Sequence, residues 1–313
     1  MKVGVNLINF GPSAQPELLE GWVEMTERLG YHSLLTSDHI AITPDVTERY
    51  PAPFYEPLST LGWLAGVSER IQIGTTVTIV PYRNPLELAR SYAAIDQLSG
   101  GRLIFGVGVG WAEREFEVLQ VPFRRRGAIT DEYLDLITRH WTESELTFSG
   151  EFVSCEGVDT APRPAQESIP IWVGGSSAAA LERTIRFGGA WHPIRLRPAW
   201  FRDTAVPRLQ AMADRAEAPR PALCPRIMFI VTDSPTDESE RFMGHGTMEQ
   251  IHGDLHLLEE LGCEHVILDA YSPFDDANLR EVSTGAADGV HAAWDNYERA
   301  AAEILDLAAE KVR

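Results

Sequence analysis

Eight apolar, strand-like runs, each followed by a stretch of helical period, succeed one another along the whole chain, and this alternation restricts the fold more than any other feature. The pattern predicts strands at about 2–8, 33–37, 71–79, 103–109, 170–174, 189–194, 226–232 and 265–270. Helices are expected at about 16–29, 57–67, 85–98, 129–141, 177–187, 199–216 and 248–261, with a last one from about 287. Several have clear ends. Asn84-Pro85-Leu86-Glu87 supplies an N-cap and a proline at the first helical position, Thr247 and Gln250 form a capping box, and Gly30 and Gly262 stop the helices before them. Runs such as Ile227-Met228-Phe229-Ile230-Val231 are apolar on both faces, which suits a parallel sheet covered by helices. Eight unbroken units favour closure into a (β/α)₈ TIM barrel over an open doubly wound sheet, with residues 1–313 as one domain. The longest irregular stretch, Glu143 to Ser168, holds a hairpin-like segment; it follows a helix and precedes a strand, so it belongs to the bottom face.

Composition removes several classes of function. A net charge of −19 disfavours nucleic acid and anionic membrane surfaces, although clustered arginines can reverse the field inside one pocket. Lysine occurs only at Lys2 and Lys311, so Schiff-base and pyridoxal-phosphate chemistry lack their amine. The chain starts directly on a strand-like run and holds no apolar stretch long enough for a membrane span. Cys155, Cys224 and Cys263 are odd in number and far apart, which is consistent with buried thiols in a reducing cytoplasm. No metal site is expected: His252 and His256 lie one turn apart on a helix, but Gly253-Asp254-Leu255 lacks the glutamate of a zinc protease.

In a barrel of this kind the chemistry sits at the C-terminal ends of the strands. Leu34-Leu35-Thr36-Ser37-Asp38-His39 ends one strand in three polar residues, and an aspartate beside a histidine can set its tautomer for proton transfer. The plainer reading is a loop cap with an exposed imidazole, and position alone leaves the two even. Gly174-Gly175-Ser176-Ser177 joins a strand to a helix start, where free N–H groups and hydroxyls can hold a phosphate or simply cap the helix. Gly106, Gly108 and Gly110 alternate along a strand; they allow either a flat ring against bare backbone or close packing of neighbouring strands. Glu113, Glu115 and Asp233 could form a glycosidase pair, yet their surroundings look no different from surface charge.

Taken in order, these segments resemble the bacterial luciferase-like monooxygenase superfamily, and within it the coenzyme F420-dependent (deazaflavin) oxidoreductase branch. The likeness runs through Ser37-Asp38-His39, Gly74-Thr75-Thr76-Val77, Pro81-Tyr82-Arg83-Asn84-Pro85, Leu98-Ser99-Gly100-Gly101-Arg102, Gly106 to Trp111 with Glu115-Phe116, and Pro170 to Ser177. It implies a cofactor ring backed by a bulge at Thr76-Val77 that contains a non-proline cis peptide. It also implies Ser37, Asp38 and His39 beside the ring, backbone contacts from Val109 and Gly110, and a phosphate-tail site at Gly174, Gly175, Ser176 and Ser177. The implied reaction is hydride transfer between F420 and a small organic substrate, with His39 giving or taking a proton and Asp38 supporting it; a homodimer is the implied assembly. Position and charge alone add Arg83, Arg195 and Arg197 as candidates for the anionic tail. Two departures stand out. Trp111 replaces the glutamate of the branch's sugar-phosphate dehydrogenases, whose substrate-binding lysines are also absent, and Ala190 replaces an acidic residue before Trp191. The first turns expectation toward an apolar or aromatic substrate. An FMN-dependent monooxygenase on the same scaffold, and a flavin-binding protein without catalysis, remain the alternatives.

Overall fold

The computed structural model describes residues 1–271 and 287–313, the latter with side chains from 289. Its strands are β1 (Lys2–Leu7), β2 (Ser33–Thr36), β3 (Gln72–Thr75), β4 (Leu103–Gly108), β5 (Ile171–Gly174), β6 (Ala190–His192), β7 (Ala222–Leu223 with Arg226–Met228) and β8 (His265–Asp269). The helices between and after them are α1 (Pro16–Leu29), α2 (Pro57–Val67), α3 (Pro85–Leu98), α4 (Arg126–Thr142), α5 (Ala178–Phe187), α6 (Val206–Arg215), α7 (Met248–Glu260) and α8 (Ala287–Glu303). Each strand pairs in parallel with its neighbours around the sheet. The ring closes through β7: Cys224 N donates to Trp191 O of β6, and Ile267 N of β8 donates to Pro225 O, both at 2.9 Å. The fold is a (β/α)₈ TIM barrel.

The two-residue period of the strands sorts their side chains into two apolar sets. Val3, Val5, Leu34, Phe105, Val107 and Val173 point outward into the main core beneath the helices. Leu35, Ile104, Trp172, Ala190, Cys224 and Ile267 point inward and form a separate layer across the barrel's middle. Trp172 fills that layer, with the His192 ring 5.3 Å away and the His265 ring 5.0 Å away. This layer stoppers the barrel beneath its mouth.

Helix ends follow the sequence signals closely. Asn84 accepts from Leu86 N, Thr247 and Gln250 cap each other, and Gly30 and Gly262 take left-handed conformations. Three expected elements differ. The run over 71–79 breaks at a cis Thr76-Val77 peptide, after which Thr78–Ile79 resumes pairing on β4. The run over 226–232 starts four residues earlier, and Ile230–Val231 leaves the barrel to pair with His245–Gly246. The helix over 199–216 contains a π turn at Phe201–Ala205, just where Pro207 offers no N–H and crowds the preceding turn. The segment Glu145–Ser149 and Ser154–Asp159 is an antiparallel hairpin, and Gln166 beyond it bonds Asp96 and Leu103 O at the N-terminal rim. Among the described residues no helix is long and apolar enough to cross a membrane.

Close approach of β3 and β4 depends on glycine. A Cβ on Gly106 would lie 1.8 Å from Thr75 O, whereas one on Gly62 of α2 would meet nothing within 4 Å. Gly106→Ala should therefore cost roughly 3 kcal/mol by forcing two strands apart. Gly62→Ala should be neutral or stabilising by up to about 1 kcal/mol. Urea unfolding midpoints of the two variants measure the contrast; equal midpoints would contradict it.

Candidate active site

Asp38 leaves the end of β2 and is buried, with two oxygens on Arg83 at 2.7 and 2.9 Å and a third bond from Ile79 N at 2.8 Å. Arg83 also reaches Glu56 at 2.8 Å. Burial alone would lower the pKa of Arg83, but Asp38 and then Glu56 hold it above the usual arginine range. Its charge is therefore consumed within the wall, and Arg83 is not available to an anionic tail as its position had suggested. Asp38 makes no bond to the His39 ring.

That support comes from a residue whose local sequence resembled surface charge. Glu115 stands in the first turn of the short helix Glu113–Val118 and is fully buried. Its carboxylate accepts from His39 Nδ1 at 2.6 Å, from Ile40 N at 2.6 Å, from Ala41 N at 3.0 Å and from the Tyr82 hydroxyl at 2.9 Å. Burial first, and then the Glu115 charge, push Tyr82 upward, so its hydroxyl stays a donor. Because a carboxylate only accepts, the His39 proton is held on Nδ1, and Nε2 is the nitrogen left for the cavity. Glu113 and Asp233 are exposed while Glu115 is buried, so these three do not form the carboxylate pair a glycosidase would need.

The floor is a second network. Arg226 donates to Thr76 O at 2.8 Å and to the carboxylate of Asp269, which also accepts from Asn6 at 2.7 Å. Thr76 Oγ1 lies 2.7 Å from His192 Nε2, and His192 Nδ1 bonds Cys224 O. A carbonyl accepts, so Nδ1 carries the hydrogen and Nε2 receives the Thr76 hydroxyl proton.

A cavity of about 240 Å³ opens above this floor. Ser37, Asp38, His39, Thr76, Val77, Val109, Gly110, Gly174 and Gly175 all line it, joined by Tyr50, Trp111, His192 and Arg226. Ser176 lines an adjoining hollow of about 370 Å³ with Arg195, Arg197, Trp200 and Phe242, and Ile194 borders both. Ser177 lines neither; its hydroxyl accepts from Ala180 N at 3.2 Å and caps α5. Of the alternating glycines, Gly108 and Gly110 border the cavity, yet close packing of neighbours also requires Gly106 and Gly108. Gly106 makes room for Thr75 O, and a Cβ on Gly108 would lie 2.5 Å from Val77 Cγ2. His252 and His256 both bond Arg313 O at the foot of the barrel's outside. A larger hollow of about 660 Å³ lies at the opposite, N-terminal end. Burial raises both of its thiols, Cys263 to about 12, so they are not nucleophiles there.

Burial lowers His192 to about 4, against the bond to Cys224 O and aided by the Arg226 charge. An unfolded chain takes up this proton near pH 6.5 and the folded one only near 4, so stability falls as pH drops through that window. His265, also lowered by burial, acts in the same direction. The His192 share is on the order of 3 kcal/mol. Urea midpoints at about pH 7 and pH 4.5 should show the loss, and His192→Gln should shrink it; an unchanged pH slope in the variant would contradict this.

The sequence matches the model of the luciferase-like monooxygenase family over residues 1–310. It is 33% identical over 184 residues to the F420-dependent glucose-6-phosphate dehydrogenase of Intrasporangium calvum, which is 55% of this chain and 52% of that protein. The chain thus spans about half the length of that curated relative. The structure resembles an F420-dependent secondary alcohol dehydrogenase solved with an F420-acetone adduct, with a TM-score of 0.75 at 16% identity over 94% of this chain and 97% of that one. It also resembles the monooxygenase RslO1 of Streptomyces bottropensis, with a TM-score of 0.74 at 18% identity over 95% and 97%. A family model that spans nearly its whole length places the chain in the luciferase-like monooxygenase family.

Proposed function

We propose that this protein is an oxidoreductase that uses coenzyme F420 to exchange a hydride with a small organic substrate. The observation that carries the reading is the His39–Glu115 pair: a buried carboxylate holds one ring nitrogen and leaves the other at the cavity. The cavity's two-part shape fits the cofactor. An apolar compartment walled by Val77, Val109, Gly110 and Gly174 suits a flat ring, and it continues past Ile194 into a second hollow where Ser176, Arg195 and Arg197 stand beside Trp200 and Phe242. The second part suits an anionic chain, with the N–H groups before α5 adding partial positive charge. The homology to an F420-dependent dehydrogenase points the same way.

When bound, the deazaflavin would donate or accept the hydride at its C5 carbon. The protein's own residues do the rest. His39 Nε2 gives a proton to, or takes one from, the reacting substrate, while Glu115 fixes the ring's tautomer and orientation. Thr76, held by Arg226 and His192, keeps the floor beneath the ring rigid. Asp38 works at one remove, by clamping Arg83 and Ile79 N so that the loop carrying His39 cannot shift.

Side-by-side titration with F420 and FMN tests the cofactor, with saturable binding of F420 expected to be the tighter. Preference for FMN would replace the proposal with a flavin-dependent oxygenase. His39→Ala should lower turnover by about 10²- to 10⁴-fold with cofactor affinity little changed. Undiminished turnover would remove His39 from the mechanism.

A further inference from the structure

The acceptor side of the cavity has a chemistry of its own. The Trp111 ring meets the His39 ring edge-on at 5.6 Å, and Tyr50 lies tilted against the same imidazole at 5.3 Å. Tyr50 is itself wedged against Phe10 and Tyr271, so its position is set by packing. Over the Trp111 face, 4.2 Å from its centroid, lies the guanidinium of Arg49. This side chain is exposed, and among the described residues it forms no ion pair. What sets this cation apart from the chain's other arginines is its place, stacked on a ring that lines the cavity beside His39.

Two more arginines share the neighbourhood. Burial first, and then the charges of Arg49 and Arg226, pull Arg195 below its usual range, while Tyr50 opposes them. Asp269 already balances Arg226, so of these charges Arg49 is the one beside His39 that an anionic group could meet. Arg49 stands on the His39 side, in the loop after β2, whereas the hollow suited to a cofactor tail lies beyond β5 and β6.

Resting on the cofactor reading above, we propose that the substrate is a planar, unsaturated carboxylate. Its flat body packs against Tyr50 and Trp111, its reacting atom faces His39 Nε2, and its carboxylate pairs with Arg49. A guanidinium already flattened on an indole still offers its edge to a carboxylate in a forked pair. Trp111 serves this seat by holding the Arg49 guanidinium on its face.

Calorimetric titration of the cofactor-loaded protein with trans-cinnamate and with cinnamamide separates charge from shape. Cinnamate should bind at least about tenfold more tightly, as one charge-assisted pair would give. In Arg49→Gln the two should bind within about threefold of each other, with F420 affinity unchanged. Equal binding of the two probes to the parent protein would overturn the proposal. So would a loss of F420 affinity in Arg49→Gln, which would assign the arginine to the cofactor tail. Should the protein take FMN and not F420, the cofactor reading falls alone, and the same comparison on the FMN-loaded protein decides the carboxylate.

Discussion

Arg226 rises from β7 and spans the barrel mouth to the carbonyl of Thr76 on β3, while its other edge holds Asp269 of β8. Three strands far apart in sequence are thereby tied across the inside of the barrel as well as around its wall. The charge is affordable there because Asp269 balances it, and Asn6 and the Tyr271 N–H in turn satisfy Asp269. Take the guanidinium away and a buried carboxylate, a carbonyl and a threonine hydroxyl lose partners together. The cost would fall on the shape of the floor, since His192 and Thr76 are positioned by the same set of bonds.

Two buried acids, Asp38 and Glu115, divide labour around His39 in a way their sequence neighbourhoods do not announce. Asp38 adjoins the histidine in the chain, yet the strand's alternation turns its side chain toward Arg83. Glu115 is 76 residues away and arrives through the loop after β4. A carboxylate with four donors is firmly oriented, so it can hold an imidazole in one tautomer without itself being movable.

The barrel was legible because continuous apolar strands and capped helices repeat eight times, and local signals such as Asn84, Thr247 and Gly30 act over a few residues. The cavity's members were legible because strand ends in this fold converge on one mouth. What escaped were pairings set by tertiary closure. Nothing within Trp111 to Phe116 distinguishes a buried Glu115 from an acid placed to favour a helix N-terminus. Arg83 shows the converse error, for position and charge nominated it while Asp38 and Glu56 had already claimed it. The glycines of β4 left ring contact and strand packing both open, and it is packing by Thr75 and Val77 that Gly106 and Gly108 make room for. The break after Thr75 was predicted only from family likeness, because hydrophobic period continues through it.

The layer around Trp172 has a consequence for traffic. Since the barrel's middle is stoppered by buried apolar side chains, the reaction chamber, among the described residues, is a cul-de-sac open at the strand C-termini. Whatever binds deepest must arrive first and leave last. If a flat cofactor lies on the Thr76 floor, the substrate stacks above it like a lid on a jar, and product departs without disturbing what lies beneath. Order of binding would then be imposed by depth alone, with no moving gate required.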